Sequence, residues 1–167
     1  NYGENQMPNI CENELSIYAR GDDQEALLKK LTKRLESEES VFDFENIVPS
    51  PDWDNTPNED GELPSEVEEI RNKSNGLLVM SIKKFPSTGK SDERWYNWNC
   101  DNWGTKWNAF DVEREICKYG DEVKYTFGTA WAAPREILIA LKEQYPELDF
   151  RWFYRIEGWE ACGFLHE

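Results

Sequence analysis

The chain has one histidine, His166, which lies one residue from its end. A buried Ser, His, Asp or Cys, His arrangement would therefore depend on a terminal residue, and hydrolysis by such a set is not expected. The four cysteines, Cys11, Cys100, Cys117 and Cys162, form no C-x-x-C and have no histidines at metal-ligand spacing. That excludes the usual zinc patterns, and reduced thiols in a cytosol are the expectation. No stretch approaches the roughly 20 apolar residues of a membrane-spanning helix, and no basic-then-apolar leader opens the chain, so no membrane partner is expected. There is no glycine-rich phosphate loop. Asp52 and Asp54 begin like a calcium loop, but Thr56 and Pro57 follow where an oxygen ligand and glycine belong. No cofactor, metal or catalytic residue is expected.

The widest gap concerns positive charge. Between Glu36 and Ile70 the chain has thirteen acidic residues and no Lys or Arg. The net charge is −15, so this segment accounts for nearly all of it and the remainder is close to neutral. A nonspecific duplex-binding protein needs a basic footprint, which this chain lacks.

What the chain has in quantity is tryptophan. Trp95, Trp98, Trp103 and Trp107, four of its eight, fall within one stretch that runs to Ala109. Trp95, Trp98 and Trp103 share a broad face at helical spacing, and Gly104 is suited to the helix end. From Thr105 the period becomes two, with Trp107 and Ala109 on one side and Lys106, Asn108 and Phe110 on the other, which predicts a short strand. Trp95, Trp98, Trp103, Gly104, Trp107 and Trp131 are read as the structural centre, with Trp107 and Trp131 as core anchors.

Alternation over Glu14–Arg20 predicts a half-buried strand, and Leu27, Leu28, Leu31 and Leu35 supply the stripe of a following helix. Asp52–Pro64 is rich in Pro, Asn, Asp and Gly and reads as a surface loop that contributes charge but nothing to the core. Ser65–Arg71 is expected as a short helix with Val67 and Ile70 inward, and Leu77–Ile82 as a β-favouring run. Val123–Trp131 alternates cleanly, Pro134 opens a helix carrying Ile137, Leu138, Leu141 and Tyr145, and Leu148–Glu157 alternates again. The order β, α, insertion, β, β, α, β predicts an α+β, ferredoxin-like antiparallel sheet with its helices on one face. The expected organisation is one domain over 7–167, an insertion at 37–103 holding the acidic loop and the Trp-rich helix, and extra residues at 1–6 ahead of a natural start at Met7.

Met7 Pro8 Asn9 with Cys11 and Asn13, Trp95 Tyr96 and Trp98 through Trp103 Gly104 Thr105 Lys106 Trp107 Asn108 Ala109, and Thr129 Ala130 Trp131 with Pro134 carry a resemblance. Together they resemble the YubB-type ferredoxin-like family of small proteins carried by bacterial phages, plasmids and other mobile elements. The resemblance implies the same fold and a bacterial cytosolic setting. It implies no reaction and no catalytic residues.

Asp101, Asp111 and Glu113 flank the aromatic stretch, but carboxylates near aromatics do not by themselves make a glycosidase pair. The outward registers of the strands bring together Tyr18, Arg20, Lys106, Phe110, Lys124, Arg151, Phe153 and Arg155 as a candidate binding surface. An open ferredoxin-like sheet with aromatic and basic residues is how an RRM holds single-stranded RNA, although its glycine-aromatic signature is absent. The expectation is a non-enzymatic interaction protein of a mobile element with a protein partner. The alternative is a nucleic-acid-related module, either a single-strand binder through that face or an acidic mimic that occupies a host protein's nucleic-acid groove.

Overall fold

The computed structural model describes residues 9–159 and 161–166. The expectation for residues 1–6, and the start at Met7, lie outside the described residues. The chain forms two compact units, one made of the residues up to Pro49 together with those from Asn99 onward, the other of Ser50–Trp98.

The first unit contains β1 (Ile10–Tyr18), α1 (Asp22–Arg34), β4 (Phe110–Ile116), β5 (Glu122–Ala130), α3 (Arg135–Gln144), β6 (Asp149–Ile156) and β7 (Cys162–Phe164). Its sheet has the order β4-β5-β1-β6-β7 and every pairing is antiparallel. Without the short β7, this is the ferredoxin-like arrangement: the first and third core strands are central, and two crossover helices return the chain across the sheet.

Period-two alternation decides the two faces. Cys11, Asn13, Leu15 and Ile17 of β1 are buried, as are Val123, Tyr125, Phe127 and Thr129 of β5 and Trp152 of β6. Leu28 and Leu31 of α1, Leu35 just beyond it, and Ile137, Leu138 and Leu141 of α3 pack over that side. The two helices meet where Arg34 Nη1 donates to the Tyr145 hydroxyl at 2.8 Å, with its guanidinium 5.8 Å from the ring centroid. A third piece completes this layer. Phe42 and Phe44 are fully buried although they lie inside the stretch read as insertion from residue 37. Phe42 sits 4.9 Å from Tyr125, 5.0 Å from Phe127 and 6.4 Å from Trp152, ring centroid to centroid.

Asn13 is one of the polar side chains buried in this core. Asn13 Nδ2 donates to the Cys11 carbonyl and to Thr129 Oγ1, each at 2.9 Å, while Trp152 Nε1 donates to Asn13 Oδ1 at 3.1 Å. The buried amide is thus bonded to both strands that flank β1.

The end of the tryptophan stretch belongs to this unit. Trp103 is buried, donates from Nε1 to the Val48 carbonyl at 2.9 Å and meets Phe44 edge-on at 5.7 Å. Gly104 has φ 79°, and a Cβ there would stand 3.0 Å from the Arg135 amide nitrogen. The expected strand from Thr105 does not form, and pairing begins only at Phe110. Side-chain bonds replace the ladder: Asn108 Oδ1 accepts from the Phe44 amide at 3.0 Å, its Nδ2 donates to Asp43 at 2.7 Å, and Thr105 Oγ1 donates to the Ala130 carbonyl at 2.8 Å.

The second unit contains β2 (Glu66–Arg71) and β3 (Leu78–Lys84), paired as an antiparallel hairpin. The division between units falls within α2 (Arg94–Asn102), the expected Trp-rich helix, and places Trp95 and Trp98 in this second unit. The expected helix over Ser65–Arg71 is instead strand β2, with Val67 and Ile70 exposed. So short a helix nucleates poorly, whereas the hairpin supplies a ladder partner for each of these residues. The acidic loop Asp52–Pro64 is irregular, as composition predicts, yet it is tied in. Arg94 Nη1 donates to the Thr56 carbonyl at 2.8 Å and Nη2 to that of Trp53 at 3.1 Å. The same guanidinium lies 5.1 Å from the Trp53 ring and 5.2 Å from that of Phe85, and pairs with Asp92 at 2.7 Å. No helix among the described residues is long and apolar enough to cross a membrane.

Candidate binding surface

The face of the sheet opposite α1 and α3 takes the other half of each alternation. Glu12, Glu14, Ser16 and Tyr18 of β1 lie opposite Gly128, Thr126, Lys124 and Glu122 of β5 on one side, and opposite Arg155, Phe153, Arg151 and Asp149 of β6 on the other. Of the expected set, Tyr18, Phe110, Lys124, Arg151, Phe153 and Arg155 therefore share one face. Arg20 follows the end of β1 and is ion-paired to Asp149. Lys106 does not join them: it lies ahead of β4, with its ammonium 4.7 Å from the centroid of the Trp107 ring.

The cations of this face are engaged within it. Arg155 is ion-paired to Glu12, Lys124 Nζ is 2.9 Å from Glu14, and the Arg151 guanidinium is 4.7 Å from the centroid of Phe164. The hydrogen bond to Glu14, followed by its charge, raises the Lys124 pKa above the usual lysine value. Glu12 and Glu14 were not among the expected site residues. The alternation that turns Tyr18 outward also turns them outward, so the signal was present and only the positive half of it was read.

The aromatics are partly structural. The Phe110 ring lies against Gly128, its cross-strand neighbour, and any Cβ at Gly128 would run into it. That explains a glycine inside β5 and makes Phe110 a packing residue as much as a platform. Phe153 meets Phe164 edge-on at 5.5 Å. Between Phe110, Phe153, Glu12 and Arg155 runs a groove of about 470 Å³. Base-stacking sites need accessible π-faces beside unmatched cations. Here carboxylates occupy the central strand, so the face presents mixed charge with half-buried rings.

The two tryptophans expected as core anchors are not in the core. Trp107 is 40% exposed and Trp131 53% exposed. Trp131 also has φ 74°, and only one other non-glycine among the described residues, Asp111 at 51°, takes a positive φ. Hydrophobicity alone predicted burial, but Trp131 stands at the turn that leaves β5, where its amide donates to the Asn9 carbonyl at 2.9 Å. Among the described residues no group of three or more His, Cys, Asp or Glu side chains could hold a metal ion.

Residues 102–165 match the family model described as a ferredoxin-like domain in Api92-like protein. The matched stretch takes in β4, β5, α3, β6 and β7. No curated protein and no solved structure matches the chain.

Proposed function

We propose that the chain is a non-enzymatic interaction protein that recognises a protein partner. The bacterial, cytosolic and mobile-element setting, and the YubB-type affiliation, rest on the resemblance of its tryptophan motif and belong to this proposal. One observation carries the reading: Trp131 is 53% exposed at φ 74°. A side chain with a Cβ costs about 1–2 kcal/mol in the left-handed region, where glycine costs little. An indole held there with more than half its surface exposed places strain where little of the side chain is buried, and such strain concentrates at binding and switch sites.

Trp131→Gly relieves that strain but gives up the covered half of the indole, so unfolding stability is expected to change by no more than about 1–2 kcal/mol while capture of the partner from a bacterial host extract is abolished. Urea unfolding and affinity capture read the two effects separately. A variant that no longer folds, or that recovers the same partner as the unaltered chain, would overturn the reading. So would turnover of generic phosphoesterase, protease or glycosidase substrates well above background.

A second reading is favoured by the order of the acidic segment. Glu66, Glu68 and Glu69 stand on a regular strand, which a mimic of a phosphate backbone requires. Its partner would be a basic nucleic-acid-binding protein, although Glu68 and Glu69 are already ion-paired to Lys84 and Arg71. Direct binding of single strands through the open face is the less favoured form, because Glu12 and Glu14 lie between its cations.

A further inference from the structure

The sheet has two edges. β7 is only three residues long, and short edges resist pairing, whereas β4 is a seven-residue strand paired on one side alone. The Cys117 amide donates to the Glu122 carbonyl at 2.9 Å, continuing the register in which Glu113 faces Thr126 and Glu115 faces Lys124. Those are then the mutually bonded pairs. Arg114 and Ile116 turn their N–H and C=O groups away from β5, towards the open edge.

The side chains along this edge sort by face. Glu113 and Glu115 lie on the open face and are exposed. Arg114 and Ile116 lie on the helix side, where a groove of about 620 Å³ runs between α1 and β4 over Ala26, Leu28, Thr32 and Val123. Leu28 and Val123 form a buried apolar floor, yet Ile116 beside them is 54% exposed. Charge on an edge strand is ordinary protection against aggregation, but an uncovered isoleucine beside an apolar groove is not explained by protection.

We infer that β4 takes an added strand from a protein partner, in which Lys or Arg alternates with β-branched apolar residues. Backbone groups of that strand bond to those of Arg114 and Ile116. Its basic side chains lie opposite Glu113 and Glu115, and its apolar ones reach over Ile116 into the groove. A second copy of this chain does not fit. An antiparallel twofold pairing of β4 with itself, centred on Glu113, Arg114 or Glu115, sets glutamate against glutamate. This surface is separate from Trp131, so the inference does not depend on that residue's role.

The test uses two short capped peptides, one alternating Lys with Val and one alternating Glu with Val, read by fluorescence anisotropy on the full chain. The Lys peptide is expected to bind roughly tenfold more tightly than the Glu peptide. The double variant Glu113→Lys, Glu115→Lys should invert that preference. Ile116→Pro removes an outward N–H that the sheet does not use, and should abolish binding with little change in melting. A readout on the unaltered protein stands beside the variants: saturating Lys peptide should slow hydrogen exchange at the Arg114 and Ile116 amides. Equal affinity for the two peptides, binding of neither, protection confined to other residues, or dimerisation of the chain through β4 in sedimentation would each overturn the inference. Failure here would leave the Trp131 capture result standing.

Discussion

Phe42→Ala is expected to lower the stability of the ferredoxin-like unit by about 3–5 kcal/mol, the range for removing a fully buried aromatic ring. The ring is edge-on to Phe44 at 5.6 Å and tilted against Tyr125 and Phe127 at 4.9 and 5.0 Å. It lies between the sheet and the layer that covers it. Tyr125 and Phe127 are anchored on β5 and cannot close over the void, so both the transfer cost and the cavity cost apply. A domain of this kind is stable by about 5–15 kcal/mol, so the loss is a large share of the whole. Urea unfolding, with Phe153→Ala from the half-buried open face as control, reads the difference. A loss below about 1 kcal/mol would place Phe42 outside the core.

Arg94→Ala is expected to unfold the second unit while leaving the first folded. The substitution removes two carbonyl bonds, the stack between Trp53 and Phe85, and the partner of Asp92, whose side chain is only 7% exposed. Losing the charged partner of so enclosed a carboxylate costs about 1–3 kcal/mol, and a unit this short has little in reserve. Lys cannot substitute, because one ammonium does not reproduce the planar fork that reaches Asp92 and two carbonyls together. Hydrogen exchange across β2 and β3 measures the loss; unchanged exchange there would contradict it.

The same pair sets a pH dependence. Hydrogen bonding to Arg94 lowers the Asp92 pKa against the opposing effect of burial. A carboxylate depressed on folding stabilises above its unfolded pKa, and that contribution disappears as pH falls through the folded value. The second unit should therefore loosen below the ordinary carboxylate range, and Asp92→Asn should weaken that dependence, leaving the share of Asp52, whose pKa the Asn55 side chain also lowers.

The ferredoxin-like core was legible because three strands alternate without interruption and each helix carries one apolar stripe. Phe42 and Phe44 were not legible as core. The segment Phe42–Pro51 is apolar enough to be read as packing locally, but that these two rings enter the main core depends on a sheet face assembled from distant parts of the chain. Trp107 and Trp131 were misplaced for the opposite reason, since large aromatics are read as interior although tryptophan is seldom wholly enclosed. For Ser65–Arg71 the apolar positions, Val67 and Ile70, fit a helical turn, and only pairing with β3 decides for strand. The open face was half legible: alternation gave its members, but which cation meets which carboxylate depends on strand order, and no single segment records that.

Asn13 has a consequence for how the central strand finds its place. Sliding β1 by two residues along its neighbours keeps every apolar side chain facing inward, so hydrophobic patterning by itself does not distinguish the true alignment from its nearest competitors. The amide does. Its partners, Thr129 and Trp152, are fixed one on each side, and in a slipped alignment Asn13 would be enclosed without them, at about 1–3 kcal/mol for each polar atom left unmatched. A single polar side chain thereby discriminates among alignments that the apolar ones leave degenerate, and its replacement by leucine should yield a chain that collapses readily but samples several strand registers.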